Sequence, residues 1–406
     1  MNNQAGSRMA MMSLVAVCLI RMAGRAAAGE PPTYTAQFIT PGISAINAAA
    51  MNEAGDVVGT STTGSGGWVS HAGAPAVLLP LPPGTQFAFA NDISDTGVIV
   101  GSVGPTSSPG FGKAAAWFPD GAGGYSVQQL GALPGHVSSD ATAVNNVGDI
   151  VGYSSNGTFR LPVLFTAPGG IQDLSATGVF DPVDINDQRV LIDHSFTCKR
   201  LDLDTMEVED LGVPAPARGV SYAASRGEAI NEAGQVAGSV RLATSTNCNR
   251  QAARFTDGIG WEVFSACGPA NSAWDMNDWG DVVMRLNVAP YVRFEGIGTF
   301  RIEDLIAADT GHWFVVNGFG LAINNARQLA IPATNDQTNE SGIILLTPDA
   351  MAGDVNHDFV VNVIDLLAVI AAWGPCPPSP ADCPSDLDGN AVTDTVDLLT
   401  VISNWS

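Results

Sequence analysis

The chain has 406 residues, with 17 Lys and Arg against 40 Asp and Glu and a formal net charge of -23. So acidic a surface repels phosphates, which excludes nucleic acid and anionic membrane as partners and leaves divalent cations and neutral sugars. Charged residues make up only 14% while Gly numbers 45 and Pro 25, so the composition predicts an all-β chain of many short strands and frequent turns.

Residues 1–28 read as an export signal. Arg8 supplies early positive charge, residues 9–20 form an uncharged apolar run too short to span a bilayer, and Ala26-Ala27-Ala28 offers small residues for cleavage. Cys18 follows Val17 and not a small residue, which argues against lipid modification. No second apolar run approaches spanning length. The expected location is secreted, extracellular or cell-surface, with the periplasm as the other choice, and without a membrane span once the signal is removed.

Residues 30–349 carry a repeat: an apolar residue, Asn, a small or acidic residue, a spacer, Gly, another residue, two apolar residues and Gly. It runs Met51-Asn52-Glu53-Ala54-Gly55-Asp56-Val57-Val58-Gly59, returns at Val144–Gly152, and returns again from Ile230-Asn231 to Gly238. Degraded copies begin at Ile93-Ser94, Ile185-Asn186, Met276-Asn277 and Ile323-Asn324. The Asn-equivalent positions 52, 94, 145, 186, 231, 277 and 324 are spaced by 42, 51, 41, 45, 46 and 47 residues. A period of that size marks a repeat architecture. Asn bonds to nearby backbone and Gly takes positive φ, so each motif is a turn, and the apolar pair after it opens a buried strand. Two further apolar stretches follow in most units, such as 114–118 and 127–130, giving three to four antiparallel strands, which is one propeller blade.

The chain ends predict closure. Pro41-Gly42 lies eleven residues before Asn52, as Pro134-Gly135 lies eleven before Asn145, so residues 34–39 match the outer strand of a unit. The last unit has a first strand and a second, 343–346, but no third. The expected fold is a seven-bladed β-propeller closed by its N-terminal strand, an arrangement without open sheet edges.

Five cysteines remain after the signal. Asp257-Gly258 is a favoured hairpin centre; pairing Thr256 with Ile259 and Arg254 with Trp261 extends to place Cys248 opposite Cys267. Cys376 and Cys383 flank a Pro-rich turn and are expected to pair, leaving Cys198 over.

Residues 350–406 are a different module. Asp365-Leu366-Leu367-Ala368-Val369-Ile370 matches Asp397-Leu398-Leu399-Thr400-Val401-Ile402 at an offset of 32. Each copy has helical apolar spacing and follows an oxygen-rich loop. Asp354, Asn356, Asp358, Asn362 and Asp365 occupy loop positions 1, 3, 5, 9 and 12, and Asp386, Asp388, Asn390, Asp394 and Asp397 repeat them. With the position-7 carbonyls of Val360 and Val392, each set suits one calcium ion. The second loop, with four carboxylates against three, is expected to bind more tightly. Leu366, Ile370, Leu398 and Ile402 are expected to pack together.

The seven units resemble extracellular HAF repeats, named for a His-Ala-Phe step that survives here in part as His71-Ala72, Lys113-Ala114 and Gln251-Ala252. That family implies the repeat fold and no established activity. The C-terminal module resembles a type I dockerin, which implies a helical calcium-dependent module attaching to a cohesin-like partner. It departs at position 6, where Phe359 and Ala391 replace the usual Gly, and at the partner-reading positions 10 and 11, which are Val363-Ile364 and Thr395-Val396.

No catalytic set stands out. His71, His136, His194, His312 and His357 show no metal-ligand spacing and read as surface or turn residues. Asp92 and Asp95 read as turn residues, and Glu209-Asp210 and Glu303-Asp304 as solvent-facing ends of outer strands. The tryptophans at 68, 117, 261, 274, 279 and 313 divide between blade core and sugar-stacking platforms. The expected function is an extracellular binding or structural module, its ligand a polysaccharide or cell-surface glycan, with a tail for attachment. The alternative is a glycoside hydrolase or lyase carrying the same tail.

Overall fold

The computed structural model describes residues 32–406 apart from 62–65, 106–111, 167–169, 217–219, 244–249, 269–270, 308–312, 316–319, 357, 378–382 and 406. The expected export signal and Cys248, His312 and His357 therefore lie outside the described residues. Thr33–Asp349 forms one compact unit and Ala350–Ser406 belongs to a second. No helix among the described residues is long and apolar enough to cross a membrane.

Thr33–Asp349 is a seven-bladed β-propeller. Six antiparallel sheets of four strands follow one another at 45–78, 87–131, 138–173, 182–210, 222–263 and 272–301, each with its strands in chain order from the inside outward. In the seventh, Leu329–Asn335 pairs inward with Ala322–Ile323 and Trp313–Val315 and outward with Ser341–Pro348. The N-terminal strand Tyr34–Phe38 then adds to Ser341–Pro348, from Tyr34 opposite Pro348 to Phe38 opposite Ile344. Closure by the N-terminal strand is thus as the end sequences indicated.

Blade faces stack on one another, so a middle strand is covered on both sides. Ile99–Gly104 is buried at every position, and Val58 and Val69 of blade 1 pack with Ala88, Ile99 and Trp117 of blade 2. Complete burial of a side chain such as Trp117 contributes roughly 2–3 kcal/mol.

The repeated motif joins blades as well as turning the chain. Each motif Asn accepts from a backbone N–H four residues on, as Asn52 does from Asp56 at 2.8 Å. Its Nδ2 donates to the main-chain carbonyl of the equivalent residue in the next blade: Asn145 to Asn186 at 2.9 Å, Asn186 to Asn231 at 3.2 Å, Asn231 to Asn277 and Asn277 to Asn324 at 3.1 Å. Asn324 reaches Asn52 at 3.3 Å across the closure. A second ring runs one residue later. The N–H of Glu53, Asp95, Asn146, Asp187, Glu232, Asp278 and Asn325 each donates to the side chain of the next member, the last returning to Glu53.

The first ring has one gap, at Ser94, whose hydroxyl accepts from Val98 N–H but has no amide to offer Asn145. Ser94→Asn should keep the first bond and add the second. The expected gain is about 1 kcal/mol, a rise of about 2–4 °C in the thermal midpoint. An unchanged or lower midpoint would show that blades 2 and 3 are too far apart there for the bond.

The second motif glycine has a steric task. A Cβ on Gly59, Gly101, Gly152 or Gly238 would stand 2.3, 2.0, 2.1 or 1.9 Å from the carbonyl oxygen of Asn47, Phe89, Asp140 or Arg226 on the innermost strand. The carbonyl is close because that strand is bulged there in blades 1 to 6, at Ala48/Ala50, Ala90/Asp92, Ala141/Ala143, Pro182/Asp184, Gly227/Ala229 and Ala273/Asp275. In blades 4 and 7 the first motif glycine is replaced by Arg189 and Arg327, still left-handed at φ 62 and 57. Both reach back to the preceding blade, Arg189 to Asp149 at 3.3 Å and Arg327 to the buried Asp281 at 2.6 Å. Those ion pairs offset backbone strain of order 1–3 kcal/mol.

One expectation fails. The hairpin at Asp257-Gly258 pairs Thr256 with Gly260 and Arg254 with Glu262, one residue out from the predicted register. Gly258 and Gly260 are both left-handed, which makes a three-residue loop the natural connection. Cys267 is disulfide-bonded, and Cys198 is buried and free.

Candidate functional site

A bulge leaves one residue unpaired and re-aims its side chain. Here the residues three before each motif Asn are Ala49, Asn91, Thr142, Val183, Glu228, Trp274 and Leu321, and all line a cavity of about 870 Å³ on the propeller axis. The residues one step later alternate around the ring. Asp92, Asp184 and Asp275 stand in blades 2, 4 and 6, while Ala50, Ala143, Ala229 and Ala322 stand in blades 1, 3, 5 and 7. Three carboxylates therefore converge on the axis. Asp92 belongs to the strand Phe87–Ile93, which corrects its reading as a turn residue.

Each axial Asp clamps two blades. One oxygen accepts from the N–H of its own successor and the other from the next blade: Val144 for Asp92, Ile230 for Asp184 and Ile323 for Asp275, at 2.8–2.9 Å. Burial pushes Asp92 up to about 6 and Asp275 up to about 7, and lifts Asp184 well above the usual carboxylate range. Asp92 and Asp275 raise Asp184 further. With both oxygens engaged by backbone donors, these acids hold neighbouring blades together at the axis. The rim adds Glu53, Asp95, Glu232 and Asp278, and the lining contains no Lys or Arg among the described residues. Such a wall accepts hydrogen bonds from hydroxyls and attracts cations, and it repels anions.

His194 departs from its reading as a surface or turn residue. It lines the axial cavity, with Nε2 at 2.8 Å from Glu228 and Nδ1 at 2.6 Å from the Arg226 guanidinium. Arg226 can only donate, so Nδ1 accepts from it and Nε2 is left to face Glu228. The other acidic pairs stay outside: Glu209 pairs with Arg200 and Glu303 with Arg301. Trp68, Trp117 and Trp261 are blade core. Trp274 lines the cavity, and Trp279 is exposed with Nε1 donating to Asn325 O at 2.9 Å.

The C-terminal unit contains two nine-residue helices, α1 (Val363–Ala371) and α2 (Thr395–Ser403). Both begin in a capping box whose members are loop positions 9 and 12: Asn362 with Asp365, and Asp394 with Asp397. Carboxylate oxygens of Asp354, Asp358 and Asp365 lie within 4.8 Å of one another, as do those of Asp386, Asp388 and Asp397. Phe359 and Ala391 take φ 66 and 68. The turn that usually requires Gly at position 6 therefore forms with side chains in its place. Residues 350–406 contain no Lys or Arg, so the module itself supplies no ammonium or guanidinium group to either cluster. The donor set and loop conformation fit calcium, which would be held by hard oxygens and would neutralise both clusters. Asn356, Asn362, Asn390 and Asp394 lie in the same two loops, as do the Val360 and Val392 carbonyls. Asn362 Nδ2 bonds the Val360 carbonyl at 3.1 Å.

Leu366, Val369, Leu398 and Val401 form the small core with Val355 and Val361. Ile370 and Ile402, expected in that core, face outward because the inward stripe follows the i, i+3 step from Leu366 and Leu398. Cys376 and Cys383 are bonded, with Cα atoms 5.7 Å apart.

No protein-family model matches the chain and no curated protein sequence is similar to it. Solved propellers resemble its fold at low identity. Virginiamycin B lyase from Staphylococcus aureus is 12% identical over 78% of this chain and all of its own, with a TM-score of 0.45. Oligogalacturonate lyase from Vibrio parahaemolyticus is 12% identical over 79% of this chain and 98% of its own, at 0.48. The extracellular domain of a putative one-component system from B. thetaiotaomicron is 9% identical over 79% of this chain and 40% of its own, at 0.49.

Proposed function

We propose that the chain is an exported binding protein in two parts: a HAF-repeat-like propeller that takes a hydroxyl-rich glycan at its axial face, and a dockerin-like module, folded on calcium, that attaches it to a cohesin-like partner. One observation carries the reading. The two helices expose the same apolar positions in both copies, Ile364 with Val396, Leu367 with Leu399 and Ile370 with Ile402. Leu367 is 54% exposed and Leu399 61%. A module this small, with scarcely any core, leaves its largest aliphatic side chains in water on matched faces. That pattern marks a partner surface. The axial acids support a binding role, since each spans two blades through backbone N–H donors and so holds the shape of the axial face.

The test is surface plasmon resonance of the full chain against a panel of type I cohesin domains, with calcium and with chelator. Calcium-dependent binding is expected, weakened about tenfold or more by Leu367→Asp together with Leu399→Asp. Absence of binding to every cohesin, or binding indifferent to calcium, would remove the attachment reading. Release of reducing or unsaturated ends from a polysaccharide by the purified chain would replace the binding reading with the hydrolase or lyase alternative.

A further inference from the structure

A second cavity, of about 310 Å³, lies between blades 4 and 5, lined by His194, Ser195, Phe196, Arg226, Arg241 and Arg250 among others. Its residues come from the loop after the second strand of blade 4, from the inner two strands of blade 5 and from Arg250 just before the third, and His194 is shared with the axial cavity. Its charge is opposite to that of the rest of the molecule.

Many arginines elsewhere are neutralised by carboxylates, among them Arg189 by Asp149 and Asp204, Arg200 by Glu209 and Asp257, Arg254 by Glu262 and Glu295, and Arg327 by Asp281, while Arg293 stands over the Phe264 ring. Arg241 and Arg250 form no ion pair with a carboxylate among the described residues. The sequence from 242 to 256 has no Asp or Glu to supply one. Arg226 is shared between His194 and Glu228, and among the described residues Glu228 is the only acid that pairs with any of the three guanidinium groups, the nearby Asp193 being engaged by Ser195, Phe180 and Lys199. Burial pulls Arg250 below the usual guanidinium range, and Arg226 and Arg241 pull it further. Three like charges gathered around one cavity are costly unless an anion joins them. At the same site Phe196 is 67% exposed, with the Arg241 guanidinium 5.4 Å from its ring centre.

We propose that this cavity is an anion subsite for a carboxylated or sulfated saccharide unit, its acidic group held by Arg241 and Arg250 and its apolar ring face laid on Phe196. A planar guanidinium pairs with carboxylate or sulfate through two parallel bonds. A bare oxyanion would leave most of the cavity empty and has no use for the aromatic ring. A long polyanion such as nucleic acid would meet the acidic surface around it. The subsite deepens the binding reading of the propeller and is independent of the C-terminal module.

Calorimetric titration of the full chain in calcium distinguishes the cases, with trigalacturonate, a sulfated galactan oligosaccharide and neutral galactotriose as probes. One or both acidic probes should bind, with an affinity that falls as salt rises, and the neutral probe should not. Arg241→Gln and Arg250→Gln should each weaken binding about tenfold or more, Lys at either position should recover part of it, and thermal midpoints should stay near that of the parent. Inorganic sulfate should compete weakly. Equal binding of the neutral probe, no binding of either acidic probe at millimolar concentration, or undiminished binding by the Gln variants overturns the proposal. If an acidic probe binds through the arginines and is also cleaved, the subsite stands and the non-catalytic reading falls. If no acidic probe binds while calcium-dependent attachment persists, the subsite alone falls.

Discussion

Deleting residues 30–40 should sharply destabilise the propeller. The strand Tyr34–Phe38 is the outer strand of blade 7, paired to Ser341–Pro348. Tyr34 and Ile39 are fully buried. Tyr34 donates from its hydroxyl to Arg327 O at 3.0 Å, the residue whose guanidinium makes the buried pair with Asp281. Thr33 and Thr35 both bond Asp349 at 2.7 Å, tying the two ends of the ring. Losing two fully buried side chains costs about 5 kcal/mol in transfer terms alone, and the backbone ladder to Ser341–Pro348 is lost as well. Net stabilities of domains are only about 5–15 kcal/mol. The truncated protein should therefore melt at least 10 °C lower, on the scale of about 2–4 °C per kcal/mol, or aggregate through the exposed edge. Tyr34→Phe is the milder companion, expected to cost about 1–2 kcal/mol for the orphaned carbonyl. Calorimetry and gel filtration read both. A truncated chain that stays monomeric and melts with the parent would mean that the N-terminal strand decorates a ring already stable without it.

Blade number, strand order and closure are legible in the sequence because they rest on local chemistry: an Asn whose side chain closes a turn, a Gly in the left-handed region, and an apolar pair next in line. The axial cavity is not legible in the same way. It depends on a bulge in the innermost strand, and the residues around it, such as Ala48-Ala49-Ala50 in blade 1, are too small and uniform to show a break in alternation. The trace was nonetheless present in the second motif glycine, which exists to admit the bulge carbonyl and not to make the turn. The alternation of Asp with Ala two residues before each motif Asn could also have been found by aligning the seven units. His194, Arg226 and Glu228 were harder. They stand on neighbouring blades, more than thirty residues apart for His194, and only blade stacking brings them together. The two acidic loops of the C-terminal unit show the reverse case. Phe359 and Ala391 look like defects beside the usual Gly, yet both take the left-handed conformation that the loop requires.

Calcium should be the largest single determinant of order in the C-terminal unit. Nine-residue helices are too short to persist alone in water, and the core between them is six residues. Each loop gathers three carboxylates within 4.8 Å with no Lys or Arg in the module. Asp365 and Asp397 are completely buried. Asp365 already accepts from Val355, Asn356 and Asn362 N–H, and Asp397 from Leu387, Asp388 and Asp394 N–H. These bonds shape the loops and begin the helices, but they leave the mutual repulsion of the acids in place. A divalent cation removes it, so binding and folding become one event. Residues 350–406 alone should be largely unstructured in chelator and gain helix on calcium addition, read by circular dichroism. Calorimetry on the full chain should show two sites, the second loop filling first because it presents four carboxylates against three. Asp397→Ala and Asp365→Ala should each remove one site or weaken it on the order of tenfold or more, and Asp386→Ala should cost more than Asp354→Ala. If helix content in chelator equals that in calcium and no heat is taken up at millimolar concentration, the loops are held by their backbone bonds alone. The exposed apolar face of α1 and α2 would then be permanent and not under calcium control.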